Sequence, residues 1–410
     1  MESPAIRLRE ANHEVSLILS RHFRFLLLPL VPVYRMAAAV HAFVYHSGSK
    51  PVHTLKWPVI SIGNLSTGGV GKTPLTITLA RELTHRGLLV DVLSRGYGRK
   101  GQTASRVMPG GTAAEFGDEP LLIAQEAQVP VYVAPERFDA GQIAELDAET
   151  ALRGFAAEEA ETARPDALAK ETSLAIRNHE NGLVQEVEAG CELDKAVEVH
   201  SQLQAPPKPA LPVHLLDDGF QHRQLARTVN ILLINQDDWR DRLLPAGNLR
   251  EPHDAARRAT VIAVPADEPE LEVALHLWGW AGPLWRLHRK MTVPRVEGRV
   301  VAFCGIARPE QFFAGVEAAG VKLAFRLAFA DHCVYTPALL KEVLIKAQEC
   351  QASAFVTTGK DLLRLGGMTS LFPQSIPLLT ARLTVEIEEQ DAAIDWLENQ
   401  IRSQTSDPSL

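Results

Sequence analysis

Apolar positions along the chain change their period several times, and each change marks a different kind of element. The short runs PVISIG (58–63), LLVDVLS (88–94), PVHLL (212–216), NILLIN (230–235) and TVIAV (260–264) are rich in aliphatic residues on both faces. Such runs fit strands buried inside a parallel sheet that helices cover on each side. Between the first two, residues 72–86 repeat Leu75, Leu79 and Leu83 at a spacing of four, which predicts a helix. Strand and helix then alternate, so the pattern predicts an α/β fold with a doubly wound, mostly parallel sheet. After a Trp-rich stretch (Trp278, Trp280, Trp285) a second series begins near Val300. It comprises VVAFCGI, a helix from Pro309, VKLAFRLAF, a helix from Pro337, the strand FVTTGK and a last helix near 392–401. The expectation is a main domain over 57–290 and a smaller C-terminal α/β domain over 291–410.

Two stretches break the alternation. Residues 23–45, FRFLLLPLVPVYRMAAAVHAFVY, are apolar for about the ~20 residues a membrane span needs. Pro29, Pro32, Arg35 and His41 interrupt them, so an apolar helix lying in a membrane interface is favoured, within an N-terminal membrane-associating segment over 1–56. A true span, a cleaved leader and ordinary packing on a soluble core are the other readings. Residues 139–209 turn Ala/Glu-rich and end in the proline-rich QAPPKPALP, which reads as a helical or partly disordered insertion with no catalytic part.

Charge sharpens this division. The net charge of −8 excludes nucleic acid as a bulk electrostatic partner. Residues 1–56 nevertheless carry seven Lys/Arg against three acids, while residues 139–200 carry fifteen acids against five bases. The basic end is thus also the apolar end, as anionic headgroups would require. The four cysteines (Cys191, Cys304, Cys333, Cys350) show neither C-x-x-C pairing nor metal-ligand spacing, which fits inert thiols in a reducing cytoplasm.

The strongest chemical signal is Ser66-Thr67-Gly68-Gly69-Val70-Gly71-Lys72-Thr73, set between a predicted strand and a predicted helix. Backbone amides of Gly68, Gly69, Val70 and Gly71 can turn toward the phosphates of ATP, Lys72 adds a point charge, and Thr73 can ligate Mg²⁺. Ser66 stands where the usual pattern has its first glycine. The sheet is therefore expected to be P-loop NTPase-like. Membrane-surface P-loop ATPases of the partitioning type share GGVGKT, but they carry a Lys directly before the two glycines, where this chain has Thr67.

The strand PVHLL runs into Asp217-Asp218-Gly219-Phe220-Gln221-His222, and such paired acids at a strand's carboxyl end suit an Mg²⁺ site. Asp118, in Gly117-Asp118-Glu119-Pro120, reads equally as a helix cap or a functional carboxylate, and Asp331-His332 reads as a surface pair or an acid–base group. Ser94-Arg95-Gly96-Tyr97-Gly98-Arg99 offers guanidiniums and an aromatic ring, and Leu249-Arg250-Glu251-Pro252 offers an arginine for a transferring phosphate.

In this order, GNLSTGGVGKTP, LSRGYGRK, GDEP, LDDGFQH, LLPAGNLREP and FADH resemble one family, the tetraacyldisaccharide 4′-kinases of lipid A biosynthesis, which also lack the first glycine of the usual loop pattern. The resemblance implies ATP with Mg²⁺ as donor and a tetraacylated glucosamine disaccharide 1-phosphate as acceptor. It implies a monomer at the cytoplasmic face of the bacterial inner membrane. It suggests Asp118 as the base, with His332 as its partner. Lys72 and Arg250 would balance charge on the phosphoryl group, Thr73, Asp217 and Asp218 would organise Mg²⁺, and Arg95, Tyr97, Gln221, His222 and Glu251 would touch the acceptor. The long 139–209 region departs from the family pattern. The alternative reading is a membrane-surface ATPase switch.

Overall fold

The computed structural model describes residues 24–162 and 211–405. Arg7, Arg9, Arg21, Cys191, residues 163–209 of the Ala/Glu-rich stretch and most of the proline-rich connector lie outside the described residues. The first series of elements is α1 (Val31–His46), β1 (Val59–Asn64), α2 (Lys72–His85), β2 (Leu89–Ser94), β3 (Ser105–Arg106), α3 (Ala113–Phe116), α4 (Asp118–Ala127) and β4 (Val131–Val133). It continues through α5 (Arg137–Thr162), β5 (Pro212–Asp217), β6 (Val229–Leu233), α6 (Gln236–Arg240), β7 (Val261–Pro265), α7 (Pro269–Trp278) and β8 (Leu284–Thr292). The second series is β9 (Val300–Cys304), α8 (Pro309–Ala318), β10 (Leu323–Ala328), α9 (Pro337–Cys350), β11 (Ala354–Thr358), α10 (Gly359–Leu365), β12 (Leu378–Ile387) and α11 (Gln390–Thr405).

Twelve strands among the described residues join one sheet in the order β10-β9-β11-β12-β8-β7-β6-β1-β5-β2-β4-β3. Every strand pairing is parallel except β8–β12 and β3–β4. The α/β, P-loop NTPase-like architecture read from the apolar runs is present. Alternate residues of each central strand feed opposite cores, as the pleat requires. Ile60 and Ile62 of β1 join Leu75, Leu79 and Leu83 of α2 and Leu121 and Ile123 of α4 on one face. Leu216 of β5 joins Leu55, Ala140 and Ala144 on the other face, and Leu232, Ile262 and Val264 pack there with Leu271 and Leu275. The start of α5, at the head of the Ala/Glu-rich stretch, therefore belongs to the core.

The two series meet through β12. Its first half pairs in parallel with β11, from Leu378–Phe355 to Ala381–Thr358. Its second half pairs antiparallel with β8, from Arg382–Thr292 to Ile387–Leu287. One strand thus belongs to both halves of the sheet. Beyond it, α11 packs back onto the first core, where Ile394, Leu397 and Ile401 are buried.

At the other end of the chain, α1 lies on the surface. Phe25, Leu26, Leu30, Val33, Met36, Val40 and Phe43 along this end are all exposed. It is held at one side, where Val31 and Tyr34 pack on the Phe220–Leu232 core and the Tyr34 hydroxyl donates to Arg250 O (3.0 Å).

Candidate active site

Strand register sets the site. Ile62 of β1 pairs with Asp217 of β5, so the glycine-rich loop and the paired acids leave adjacent strands at the same end of the sheet. The loop after Asp217 then folds across β1. Gly63 makes this crossing feasible, because a Cβ there would stand 2.6 Å from Phe220 Cβ. The Gly219 amide donates to Ile62 O (3.1 Å) and Gln221 Nε2 donates to Asn64 O (2.6 Å), which fixes the turn. Gly71 precedes α2 with φ +95°, a conformation that favours glycine and lets the loop enter the helix.

The 248–250 segment clamps the loop from outside. The Thr67 amide donates to Asn248 O (2.9 Å), the Arg250 amide to Leu65 O (2.7 Å), and Arg250 Nε to Ser66 O (2.9 Å). From there the Arg250 guanidinium reaches Asp218 Oδ2 and Gln221 Oε1, each at 3.3 Å. Lys72 Nζ pairs with Asp218 Oδ1 at 3.0 Å. Burial opposes ionisation of Asp218, but Lys72 and Arg250 outweigh it and hold the carboxyl well below the usual carboxylate range. Asp217 is pushed the other way, up to about 7, by burial and by the charges of Glu119 and Asp218. A concentration of buried acid of this kind fits a divalent cation, and Thr73, at the head of α2, is buried beside the same strands.

Asp118 and His332 come together from the two series. His332 Nδ1 stands 3.7 Å from Asp118 Oδ2, and the His332 ring lies 5.0 Å from that of Tyr97. The left-handed backbone of Asp218 (φ 50°) and His332 (φ 55°) is an uncommon conformation that places both at the site. The sequence did not reveal the third member of this group. Arg364 of α10 donates through Nε to Asp118 Oδ2 (2.6 Å) and through Nη1 to Gly305 O (2.6 Å). Lys360, one turn earlier, pairs with Glu119. Burial resists ionisation of Asp118, yet His332, Arg364 and Lys360 together hold it far below the ordinary range. His332 is raised in turn, chiefly by its contact with Asp118. The i, i+4 placement of Lys360 and Arg364 on one helix face was the available signal.

Both carboxylate systems border one cleft of about 1580 Å³, lined by the glycine-rich loop, Arg95, Tyr97, Gln221, His222, Arg250, His332, Lys360 and Arg364. Glu251 is not among the lining residues; it is buried and pairs with Arg223 and Arg258 (3.0 and 2.7 Å). His222 is lowered to about 4 by burial and by Arg137, Arg227 and Arg95, so it is neutral at pH 7, and its Nε2 is buried with no protein partner. Arg137, at the start of α5, is also buried, with an unpaired Nε. It was not foreseen either, because PERF carries no pattern of its own.

The chain matches the family described as Tetraacyldisaccharide-1-P 4′-kinase over residues 23–152 and 193–402, which leaves 153–192 outside the family pattern. A tetraacyldisaccharide 4′-kinase of Koribacter versatilis is 32% identical over 378 residues, covering 90% of this chain and 96% of that protein. One of Geobacter metallireducens is 30% identical over 371 residues, covering 86% and 92%. Among solved structures, that of LpxK from Aquifex aeolicus in complex with ATP is similar, with a TM-score of 0.61 and 26% identity, covering 92% of this chain and 99% of that one.

Proposed function

The chain belongs to the tetraacyldisaccharide-1-P 4′-kinase family, and from that premise we propose how its residues perform the ATP-dependent phosphorylation of the 4′-hydroxyl of a tetraacylated glucosamine disaccharide 1-phosphate. The observation that carries the reading is the meeting of the glycine-rich loop, Lys72, Asp218 and Arg250 with the Asp118–His332–Arg364 group around one cleft.

The amides of Gly68 to Gly71 and Lys72 hold the donor's phosphates. Arg250, steered by Ser66 O and Asp218, places its guanidinium where charge gathers on the phosphoryl group in flight. Thr73, Asp217 and Asp218 would hold Mg²⁺, with Glu119 close enough to raise Asp217. Bound there, the ion neutralises charge on the phosphates.

The proton of the 4′-hydroxyl passes to the Asp118–His332 pair. Arg364 keeps Asp118 ionised, and His332 is the member that lines the cleft. Arg95, Tyr97, Gln221 and the neutral His222 contact the sugar, and the buried guanidinium of Arg137 adds positive charge to the cleft wall. Glu251 acts one step away, by pairing with Arg223 and with Arg258, whose guanidinium lies over the Phe220 ring. The exposed apolar side of α1 holds the enzyme, as a monomer, at the cytoplasmic face of the inner membrane, where the acyl chains reside. The part of the second series that carries His332 closes on the glycine-rich loop over the bound substrates.

The test is transfer of labelled γ-phosphate from ATP to the detergent-dispersed disaccharide 1-phosphate, with Asp118→Ala and His332→Ala alongside. Lipid labelling that both substitutions reduce at least a hundredfold is the expected result. Labelling unchanged by either would remove the pair from the chemistry. ATP consumption without lipid labelling would favour the switch ATPase.

A further inference from the structure

The residue that departs from the glycine-rich pattern has the most complete hydrogen bonding in the loop. Ser66 is fully buried, and its hydroxyl uses its whole capacity. It donates to Asp238 Oδ2 (2.9 Å) and accepts from Asn64 Nδ2 (2.9 Å) and, at longer reach, from the Gly68 amide (3.4 Å). Each partner passes the contact on. Asn64 Nδ2 also donates to Gly68 O (3.2 Å), which leaves Asn64 Oδ1 to accept from Lys72 Nζ (2.7 Å). On the other side, Asp238 Oδ1 accepts from Arg308 Nη2 (2.8 Å), and the Asp238 amide is fixed by Asn235 Oδ1 (2.8 Å). Arg308 lies between β9 and α8, in the second series of elements. Its guanidinium lies against Gly68, with Nη2 3.2 Å from the place a Cβ would take, and its Nη1 is buried without a protein partner.

We propose that Ser66 is a positioning residue whose hydroxyl joins Arg308 and Asp238 to Asn64 and Lys72, so that the second unit sets the Lys72 ammonium on the donor's phosphates. The proposal rests on the kinase reading for what Lys72 does. Two physical points support it. The two ends of an Asn amide are nearly identical in shape, so hydrogen bonds alone decide which end meets Lys72. The hydroxyl is the nearer of the two acceptors, with Gly68 O, that hold Nδ2 away from Lys72. Removing it also deprives a buried carboxylate, Asp238, of a donor, which such groups tolerate poorly. Glycine at position 66, the residue of the common pattern, therefore weakens the enzyme instead of restoring it.

The experiment measures ATP affinity by calorimetry and lipid phosphorylation kinetics in the full chain for Ser66→Gly, Ser66→Ala, Ser66→Thr, Arg308→Ala and the Ser66→Ala/Arg308→Ala double variant. Loss of an outer partner that orients a functional group costs roughly 10- to 100-fold in affinity or activity. Ser66→Gly and Ser66→Ala are expected to lose about that much and to bind ATP several-fold more weakly, with the lipid KM unchanged. Ser66→Thr, which keeps the hydroxyl, recovers most of the turnover. The double variant falls no further than the worse single one, because residues in one network are not additive. Arg308→Ala probes the relay from the second unit without changing a residue of the loop, which covers the case of a Ser66 variant that does not fold. Full turnover and full ATP affinity in Ser66→Gly, or independent effects of Ser66 and Arg308, would overturn the proposal. If the wild-type chain binds ATP but labels no lipid, the kinase reading fails, and the relay stands or falls on the ATP affinities alone.

Discussion

Replacing Arg364 by alanine isolates the contact that joins the two halves of the site. The Arg364 side chain is 8% exposed and meets Asp118, which is 5% exposed, through Nε and Nη2. It also meets Gly305 O at 2.6 Å and Asp361 Oδ1 at 3.1 Å. Asp361 keeps other donors, since the Gly305 amide, the Tyr335 hydroxyl and the Thr358 hydroxyl all reach it. Asp118 keeps less: beyond Arg364 its carboxylate has the Glu119 amide at 3.0 Å, His332 at 3.7 Å and the more distant charge of Lys360. Breaking a buried pair by removing one partner costs about 3–5 kcal/mol, and with His332 and Lys360 still beside Asp118 the loss in Arg364→Ala is expected at the lower end of that range. The sign with pH follows from the depressed carboxyl. In the wild type, the stabilisation from Asp118 is full above its unfolded value near ~4 and is lost as pH falls through its lower folded value. In the variant His332 and Lys360 still lower Asp118, but without Arg364 burial counts for more, so the carboxyl rises relative to the wild type and the folded variant takes up a proton more readily in acid. The gap between the two proteins is therefore widest at pH 7 and narrows toward pH 4. Urea unfolding at both pH values, followed by tryptophan fluorescence, measures it. A gap below about 1 kcal/mol at pH 7, the level of an exposed pair, would refute the reasoning, as would one that stays constant between the two pH values.

Three further outcomes are expected. The His332 ring should titrate above its ordinary 6.5 because Asp118 favours the imidazolium; its NMR midpoint should drop in Asp118→Asn, and the acid limb of kcat/KM should follow it, activity rising with pH. His214 is fully buried between Asp91 (2.7 Å) and Glu145 (3.5 Å); burial opposes its charge, but the two acids raise it to about 9. Its contribution is full below pH 6.5 and lost as pH rises through about 9, so the unfolding midpoint should fall across that window, and His214→Ala should cost about 3–5 kcal/mol at pH 7. On α1, Met36 and Phe43 are 64% and 66% exposed, and replacing both by Asp should reduce flotation with anionic vesicles at least tenfold, on a scale of about 1.5–3 kcal/mol for each buried side chain, while the unfolding midpoint stays in place.

What could be read from the sequence depended on how each element is buried. Strands apolar on both faces stood out, and β1, β2, β5, β6 and β7 lie within a residue or two of the runs that predicted them. The glycine-rich loop was legible because its chemistry is local. The strands β8 and β12 were not singled out. In LWRLHRKMT, Trp285 and Leu287 alternate with charged residues, and LLTARLTVEI is similarly mixed, because one side of each strand borders the cleft or solvent. Those two strands join the halves of the sheet. At the site, Asp118 and His332 were suggested by resemblance, whereas Arg364, Lys360, Arg137 and Arg308 act across 70 to 250 residues of chain and gain meaning only from the fold. Thr358-Gly359-Lys360-Asp361, which faintly suggests a guanine-reading motif, instead caps α10 and anchors its buried acid.

The return of α11 to the first core has a consequence for how the protein is made. Leu75, Leu79 and Leu83 of α2 share their core with Ile394, Leu397 and Ile401, and Arg86 is held by Asp391 and Asp395 at 2.8 and 2.7 Å. On the ribosome the nucleotide-binding half emerges first, yet the helix that seals its apolar face is translated some three hundred residues after α2. Until then the nascent half presents an open apolar groove, while the β9–β11 unit can complete its own core. The order of completion is thus the reverse of the order of synthesis, and the core behind the glycine-rich loop closes only when α11 has left the tunnel.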